Sequence, residues 1–230
     1  MEKPLKIIAH IENDFTTKFG IPRQSGLASF ESTVVFEPEF RNDDALRGLE
    51  GYSHLWLIWK FSEAERDTWS PTVRPPRLGG NKRVGVFATR SPFRPNPIGL
   101  SSVELIGIKK TSKGSVLKIS GADLMNGTPI YDIKPYLSFT DSHPDAACGF
   151  ADEKKSYSLT VDIDDLLLSK IPQEKRGALL NLLSGDPRPQ YIDDSDRIYG
   201  FSFSNFEIKF KVSNGTLFVT EISEVTNEVN

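Results

Sequence analysis

Hydrophobic residues in the first third of the chain recur in short runs that turn-forming or polar residues interrupt. Residues 6–11 (KIIAHI) and 32–36 (STVVF) are two such runs, and their length and β-branched content are typical of strands. Residues 52–61 (YSHLWLIWKF) are hydrophobic almost without a break, which predicts a strand buried on both faces. Glycine and proline break the pattern in residues 19–27, which we expect to form a loop.

Two hairpins are predicted in the middle of the chain. Residues 101–109 and 115–120 are strand-like, and a turn at residues 111–114 joins them. Asn126-Gly127 is a strong signal for a tight turn, and another strand-like run follows it. Many short strands with only short helical segments predict a mainly-β region whose core is a barrel or is sandwich-like.

The last third of the chain mixes helical and strand patterns. Residues 164–183 carry apolar residues at helical spacing, and Pro172 within them separates two predicted helices. Residues 201–211 and 216–222 then predict two strands of a hairpin around Asn214-Gly215. This part of the chain is expected to be a small α+β unit.

Polar connectors mark the change between the two patterns. They occupy residues 141–145 and 151–155. We therefore expect a β-barrel-like domain with short helices in residues 1–145 and a small α+β domain in residues 155–230.

Composition narrows the class of protein. The chain has 230 residues and a net charge of −3, which argues against a protein that binds nucleic acid through an overall positive charge. A single cysteine, Cys148, excludes an internal disulfide and a cysteine-based zinc site, and the scattered histidines do not suggest metal ligands. No signal-peptide pattern and no apolar run of membrane-spanning length occur. We expect a soluble, cytoplasmic protein without a metal and without a membrane partner.

One stretch between Asp67 and Glu104 concentrates positive charge. It contains no acid, and its prolines and glycines predict shaped loops around one short strand in residues 83–89. On a chain with a slightly negative net charge, such a local positive patch indicates a specific binding site for an anion. Charge alone leaves open the alternative of a solvent-exposed loop whose arginines bind nothing in particular. Its six basic residues are Arg74, Arg77, Lys82, Arg83, Arg90 and Arg94.

Arg94 and Asn96 each precede a proline, which favours extended backbone at both positions. A guanidinium and a carboxamide held in this way can form hydrogen bonds with a phosphate, a carboxylate or the edge of a base. The alternative is structural, with Asn96 capping a turn and Arg94 bound to a local carbonyl.

Asp132 and Lys134 lie two residues apart in a predicted strand, so their side chains project from the same face. They form either an ordinary surface pair, which contributes little, or a proton acceptor with an electrostatic partner. The residues alone leave both interpretations open. The signatures of serine hydrolases, P-loop proteins, dinucleotide-binding proteins and zinc proteases do not occur.

A set of motifs spread over about residues 5–145 resembles the TsaA/TrmO family, and a motif near residue 188 is similar to the second domain of its bacterial members. The basic-loop motif is long, which makes the resemblance specific. The segments that carry it are Pro22-Arg23-Gln24, Ser53-His54-Leu55-Trp56, Arg74-Pro75-Pro76-Arg77-Leu78-Gly79-Gly80, Gly85-Val86-Phe87-Ala88-Thr89-Arg90-Ser91, Phe93-Arg94-Pro95-Asn96-Pro97-Ile98-Gly99, Asp132-Ile133-Lys134-Pro135-Tyr136 and Asp186-Pro187-Arg188-Pro189-Gln190-Tyr191.

The resemblance implies an S-adenosylmethionine-dependent tRNA methyltransferase built on a β-barrel. It implies methylation of the exocyclic nitrogen of threonylcarbamoyl-adenosine, next to the anticodon, and a homodimer whose cofactor binds near the subunit interface. The expected partner is the anticodon loop of tRNA.

The reaction that the resemblance implies suggests roles for particular residues. In our hypothesis the catalytic set is Asp132, Lys134, Arg94 and Asn96, with Asp132 accepting or orienting the proton of the acceptor nitrogen and Arg94 on the threonyl carboxylate. Arg74, Arg77, Lys82, Arg83, Arg188 and Tyr191 are expected to contact RNA. The expected cofactor-binding residues are Arg23, Gln24, Gly26, Ser62, Glu63, Arg90, Leu100, Ser120, Gly121, Ala122 and Asp123.

Two other functions are compatible with the same loops. A non-catalytic tRNA- or nucleotide-binding module would bind RNA without requiring a cofactor. A methyltransferase that acts on a small molecule or a protein would share the cofactor, but the second domain favours a larger substrate.

Overall fold

The computed structural model describes residues 4–64, 68–75, 78, 81–154, 157–188 and 194–225. Strands predominate in these residues and the helices are short, so the predicted mainly-β fold is confirmed. The strands are β1 (Ala9–Glu12), β2 (Glu31–Phe36), β3 (His54–Lys60), β4 (Thr72–Val73), β5 (Val84–Gly85), β6 (Ile98–Thr111), β7 (Gly114–Ser120), β8 (Pro129–Pro135), β9 (Thr160–Asp162), β10 (Tyr199–Phe203), β11 (Phe206–Ser213) and β12 (Thr216–Glu224). The α-helices are α1 (Ser138–Asp141), α2 (Asp165–Ser169) and α3 (Gln173–Ser184).

Six strands pair in a closed ring in the order β1-β2-β7-β6-β3-β8. Every pairing in the ring is antiparallel. Side chains alternate between the two faces of each strand, and the inward ones form the first hydrophobic core. Ile11, Leu55, Leu57, Leu117 and Ile130 in this core have no solvent exposure.

The prediction that residues 52–61 are buried on both faces is wrong. In β3, Leu55 and Trp59 point inward and are buried, whereas Trp56 and Ile58 between them are only partly buried. The reason is that an antiparallel sheet that closes on itself has one face on the core, while the other face meets solvent or a neighbouring loop.

The strand predicted for residues 83–89 is much shorter than expected. Only Val84–Gly85 forms a paired strand, because β4 offers only two residues for it to pair with. Residues Val86–Ala88 then form a turn of 3-10 helix, which the Thr89 amide closes on the Val86 carbonyl at 3.1 Å. The turn provides a hydrogen-bond partner within the segment. A longer strand could not have found one in β4, which ends after two residues.

The second sheet has the order β10-β11-β12-β9, and β9 runs parallel to β12. As predicted, Pro172 separates two helices, and Asn214-Gly215 joins two paired strands. The single strand expected for residues 201–211 is instead two strands with a turn at Ser204-Asn205, where Ser204 adopts a φ of 57°. Such a φ lies in the left-handed region, which turns often require.

The loop between β1 and β2 takes part in both halves of the molecule. Phe15 in this loop is 1% exposed and packs in the second hydrophobic core, beside α3 and the four-stranded sheet. Its carbonyl accepts a hydrogen bond from the Asn126 amide at 2.7 Å, next to the ring. The expected division of the chain at residues 145–155 therefore leaves this loop in contact with both cores.

Candidate functional site

A cavity of about 660 Å³ lies where the end of β3 meets the start of β6 and the segment before β8. This volume is within the range of small-molecule binding pockets. Aromatic rings and charged groups share its wall, which suits a ligand that has both a flat ring and charges. Among the lining residues are Lys18, Arg23, Gln24, Trp56, Trp59, Phe61, Ser62, Glu63, Arg90, Phe93, Arg94, Asn96, Leu100 and Asp123.

Asp123 is a partly buried carboxylate in the wall of this cavity. It accepts a hydrogen bond from the Ser101 hydroxyl at 2.5 Å, and Ser101 accepts one from the Trp59 indole at 2.9 Å. Burial raises the pKa of Asp123, although the Ser101 hydroxyl, the Ser25 amide and the Arg90 charge partly oppose the shift. Its position supports the expectation that Asp123 contacts a ligand.

Sequence reasoning missed Ser101 and Trp59, which hold this carboxylate. Ser101 has no solvent exposure. The sequence carries no direct signal for Ser101, because the closure of the ring decides which face of β6 points inward, where a serine needs a buried hydrogen-bond partner. Trp59 would have looked like an ordinary core residue.

The loop before β2 contributes Arg23 and Gln24 to the cavity. Gln24 accepts a hydrogen bond from the Arg90 guanidinium, which comes from the basic stretch on the other side. Arg23 donates to the backbone carbonyls of Asp186 and Arg188 at 2.9 and 2.6 Å. The structure thus brings three predicted cofactor-binding residues together at one cavity.

Ser62, Glu63 and Leu100 also line the cavity, as expected for cofactor-binding residues. Lys18 fixes the Ser62-Glu63 segment, because its ammonium donates to the Glu63 carbonyl at 2.8 Å and lies 3.3 Å from the carboxylate. Leu100 points outward from β6 and is 57% exposed, so its side chain is accessible to a ligand.

Gly26, Ser120 and Gly121 line a separate polar depression of about 340 Å³ rather than the larger cavity. The Gly26 amide donates to the Gly121 carbonyl at 2.9 Å. Gly121 has a φ of 79°, and a Cβ there would lie 3.4 Å from the Gly26 backbone, so the close approach favours glycine. Ala122, another expected cofactor contact, has its side chain fully buried in the first core and is not among the described residues that line either cavity.

Arg94 and Asn96 both line the cavity. The Nη1 atom of Arg94 donates to the carbonyls of Thr89 and Ser91, at 3.0 and 3.4 Å. This is the structural role that the sequence left open for Arg94. A guanidinium has five N–H donors, so these contacts orient the group without using all of them.

Asp132 and Lys134 form an ion pair of 2.8 Å on β8, and both side chains are substantially exposed. Neither is among the described residues that line the cavity. Lys134 is, however, directly opposite Trp56 in the β3–β8 register, and Trp56 does line the cavity. Directly opposite residues share a face about 5 Å apart, so the pair lies beside the cavity wall. The hydrogen bond to Asp132 raises the pKa of Lys134, which therefore stays charged.

The residues expected to bind RNA differ in accessibility. Arg74, Lys82 and Arg83 are exposed, and Arg77 and Tyr191 lie outside the described residues. Arg188 does not fit the expected phosphate contact. It is 8% exposed, and its guanidinium binds both carboxylate oxygens of Asp186 at 2.9 and 3.1 Å.

In the described part of the chain, no three or more His, Cys, Asp or Glu side chains cluster in a way that could hold a metal ion. None of the described helices has the length and apolar character needed to cross a membrane.

Family models match both halves of the chain. Residues 10–142 match the N-terminal domain of tRNA-methyltransferase O, and residues 157–225 match the TrmO C-terminal domain. The chain belongs to the tRNA-methyltransferase O family. The family expected from the motifs is therefore confirmed.

Individual relatives and solved structures agree with this family. A tRNA (adenine(37)-N6)-methyltransferase of Escherichia coli is 41% identical over 219 residues, which cover 90% of this chain and 92% of that protein. A Pseudomonas aeruginosa protein with the provisional name S-adenosylmethionine-dependent methyltransferase RcsF is 47% identical over 210 residues, covering 87% and 89%. The crystal structure of TrmO from Pseudomonas aeruginosa superposes with a TM-score of 0.75 at 32% identity, over 97% of this chain and all of that one. The prediction of an enzyme of the methyltransferase class is confirmed.

Proposed function

We propose that this chain transfers a methyl group from S-adenosylmethionine to the exocyclic N6 of adenine 37 in tRNA. The names of the E. coli and P. aeruginosa relatives support the reaction and the cofactor. The observation that carries the proposal is the cavity itself, which places the Asp123 carboxylate, the Arg23 and Arg90 guanidiniums and several aromatic rings around one space.

These residues fit the groups of S-adenosylmethionine. The carboxylate of Asp123 suits its ammonium group, the guanidiniums suit its carboxylate, and the rings of Trp59 and Phe61 offer apolar surface to its purine. The cofactor supplies a methyl group on a positively charged sulfur, which a nitrogen lone pair can attack directly. No covalent enzyme intermediate is required, so the main task of the protein is to hold the two atoms in line.

The finer substrate that we propose is threonylcarbamoyl-adenosine rather than unmodified adenosine. The carbonyl on its N6 delocalises the lone pair, so the nitrogen attacks well only when its proton leaves. We assign Asp132 as the acceptor of that proton, and Lys134 as the cation that stabilises the charge on the substrate. Arg94 and Asn96 at the cavity bind the threonyl carboxylate and the base.

Discrimination against unmodified adenosine follows from the charge of Arg94. Without the threonyl carboxylate, the partly buried guanidinium loses its ionic partner in the complex. The exposed cations Arg74, Lys82 and Arg83 supply the contacts to phosphates of the anticodon loop, whose unpaired bases need little energy to turn outward. A homodimer in the cytoplasm is the proposed assembly and location.

Mass spectrometry of tRNA nucleosides after incubation with the protein and S-adenosylmethionine tests this function. The expected product is threonylcarbamoyl-adenosine in which a methyl group has replaced the hydrogen on N6, with no methylated product from tRNA that lacks the modification. Methylation of unmodified adenosine at an equal rate would contradict the substrate. Binding of tRNA without any binding of S-adenosylmethionine would instead indicate a non-catalytic RNA-binding module.

A further inference from the structure

The loop that carries Arg23 and Gln24 is fastened to the C-terminal half of the molecule. Phe15 inserts its ring into the second core, where it meets Phe203 edge to face with centroids 6.2 Å apart. Gly20 passes so close to Phe201 that an added Cβ would lie 2.4 Å from its ring. The loop is therefore shaped by the C-terminal sheet as well as by the ring.

Arg23 makes the contact nearest to the cavity. Its Nη2 atom donates to two backbone carbonyls in the segment after α3, those of Asp186 and Arg188. Because Arg23 also lines the cavity, a C-terminal backbone segment directly orients a cavity residue.

The two carbonyls are held in place by a buried ion pair. The side chain of Asp186 has no solvent exposure, and its carboxylate accepts from Nε and Nη2 of Arg188 and from the Tyr157 hydroxyl at 2.7 Å. Asp186 has a φ of 53°, in the left-handed region that costs a non-glycine residue energy, and its hydrogen bonds help to hold it there. The pair thus locks the backbone of the segment on which Arg23 rests.

The contacts continue from this segment across the cavity. Gln24 donates to the Arg23 carbonyl at 2.5 Å and accepts from Arg90. Arg90 in turn contributes charge to the environment of Asp123. A displacement of the carbonyls at residues 186 and 188 would therefore reach the cavity through Arg23.

We propose that Asp186 and Arg188 are positioning residues of the cofactor site, and that the conspicuous Asp-Pro-Arg motif of the C-terminal half orients Arg23 rather than contacting RNA. The inference rests on the proposed function, because it assumes that the cavity holds S-adenosylmethionine. It predicts that a change in this motif alters cofactor affinity and leaves tRNA affinity unchanged.

The test uses the double variant Asp186→Asn/Arg188→Met in the full-length chain. Removing both charges together avoids leaving one buried charge without its partner, so the variant is expected to fold. Isothermal titration with S-adenosylhomocysteine should show a Kd increased about tenfold, the effect of losing one charge-assisted hydrogen bond. In steady-state assays the KM for S-adenosylmethionine should rise, while kcat and the KM for tRNA stay near the wild-type values.

Lys175→Met is the matched control. Lys175 joins the same two parts of the molecule, through Asp14 and through the Ser204 hydroxyl at 2.7 Å, but it is not among the described residues that line the cavity. It should lower the melting temperature without changing the Kd for S-adenosylhomocysteine. A role that is merely structural predicts the same result for both variants.

A double-mutant cycle with Arg23→Lys completes the test. If the motif acts through Arg23, adding the double substitution to Arg23→Lys should weaken ligand binding by less than twofold more. Fully additive effects, or reduced tRNA affinity with an unchanged Kd for S-adenosylhomocysteine, would overturn the inference. Absence of ligand binding by the wild-type protein would overturn the proposed function, and this inference with it.

Discussion

The chemistry of the cavity depends on the ionisation of single side chains, and the surroundings of Asp123 change its pKa. Burial disfavours its charged form, whereas the Ser101 hydroxyl and the Arg90 guanidinium favour that form. The net result is a raised pKa. Asp123 therefore takes up a proton at a higher pH than an exposed aspartate, whose pKa is about 3.9.

This raised pKa predicts how cofactor binding responds to pH. As the pH falls through the pKa of Asp123, the carboxylate loses the charge that holds an ammonium group, so affinity for S-adenosylmethionine should fall. Asp123→Asn should weaken binding about tenfold at neutral pH and remove that acidic dependence. Titration calorimetry across a pH series measures both effects, and an unchanged dependence in the variant would contradict the assignment.

The same substitution has a predictable effect on stability. The folded protein binds the Asp123 proton more tightly than the unfolded chain, so ionisation lowers the free energy of unfolding as the pH rises through the folded pKa. Asp123→Asn should consequently melt at or above the wild-type temperature at neutral pH. A weaker binding of S-adenosylmethionine by this variant could then not be attributed to unfolding of the protein.

The proposed proton acceptor is tested by Asp132→Asn. Removing a general base typically costs 10²–10⁴-fold in rate, so turnover should fall about 100-fold or more while the Kd for S-adenosylmethionine stays within about twofold. Glu12→Gln is the control, because Glu12 also forms an exposed pair with a lysine, Lys113 at 2.7 Å. Wild-type turnover by Asp132→Asn would remove this residue from the mechanism.

At the scale of the elements, the pairing of β3 with β6 shapes the cavity wall. Gly99 of β6 is directly opposite Trp59 of β3, and a Cβ at Gly99 would lie 2.2 Å from the indole ring. The indole in turn donates to Ser101, which holds Asp123. One glycine therefore permits the arrangement of three site residues.

Gly99→Ala is expected to displace the Trp59 ring. Overpacking of this kind typically costs about 1–3 kcal/mol, and the shifted indole should also weaken cofactor binding. Gly107→Ala on the same strand is the control, because no atom lies within 4 Å of its added Cβ; its effect should stay within about 0.5 kcal/mol. Denaturant unfolding and ligand titration measure the two quantities.

Elements with strong local signals were predictable from the sequence. The Asn126-Gly127 and Asn214-Gly215 turns and the break at Pro172 are dictated by the conformational limits of one or two residues. The length of the strand at residues 83–89 was not predictable, because it depends on how many residues its partner β4 offers for pairing. The inward position of Ser101 likewise depends on the closure of a ring between strands distant in sequence.

At the scale of the whole molecule, the motifs identified the residues of the cavity but not the packing between the two halves. Arg23, Gln24 and Arg90 come together as expected. Arg188 was expected at the RNA and is instead buried beside Asp186, since a sequence motif does not reveal which side of a backbone segment faces the core. Composition gave no sign that Phe15 belongs to the second core.

The role of Phe15 gives the last prediction. Its ring is 1% exposed, and it meets Phe30 edge to face at 4.4 Å, so Phe15→Ala should cost about 3–5 kcal/mol of stability. Because the loop that carries it leads to Arg23, amide hydrogen exchange should become faster both in the C-terminal strands and in the part of the β1–β2 loop around Arg23. Phe139→Ala is the control, since Phe139 is 85% exposed and should change stability by less than about 0.5 kcal/mol. Faster exchange in the C-terminal strands alone would mean that the two halves are not coupled through this loop.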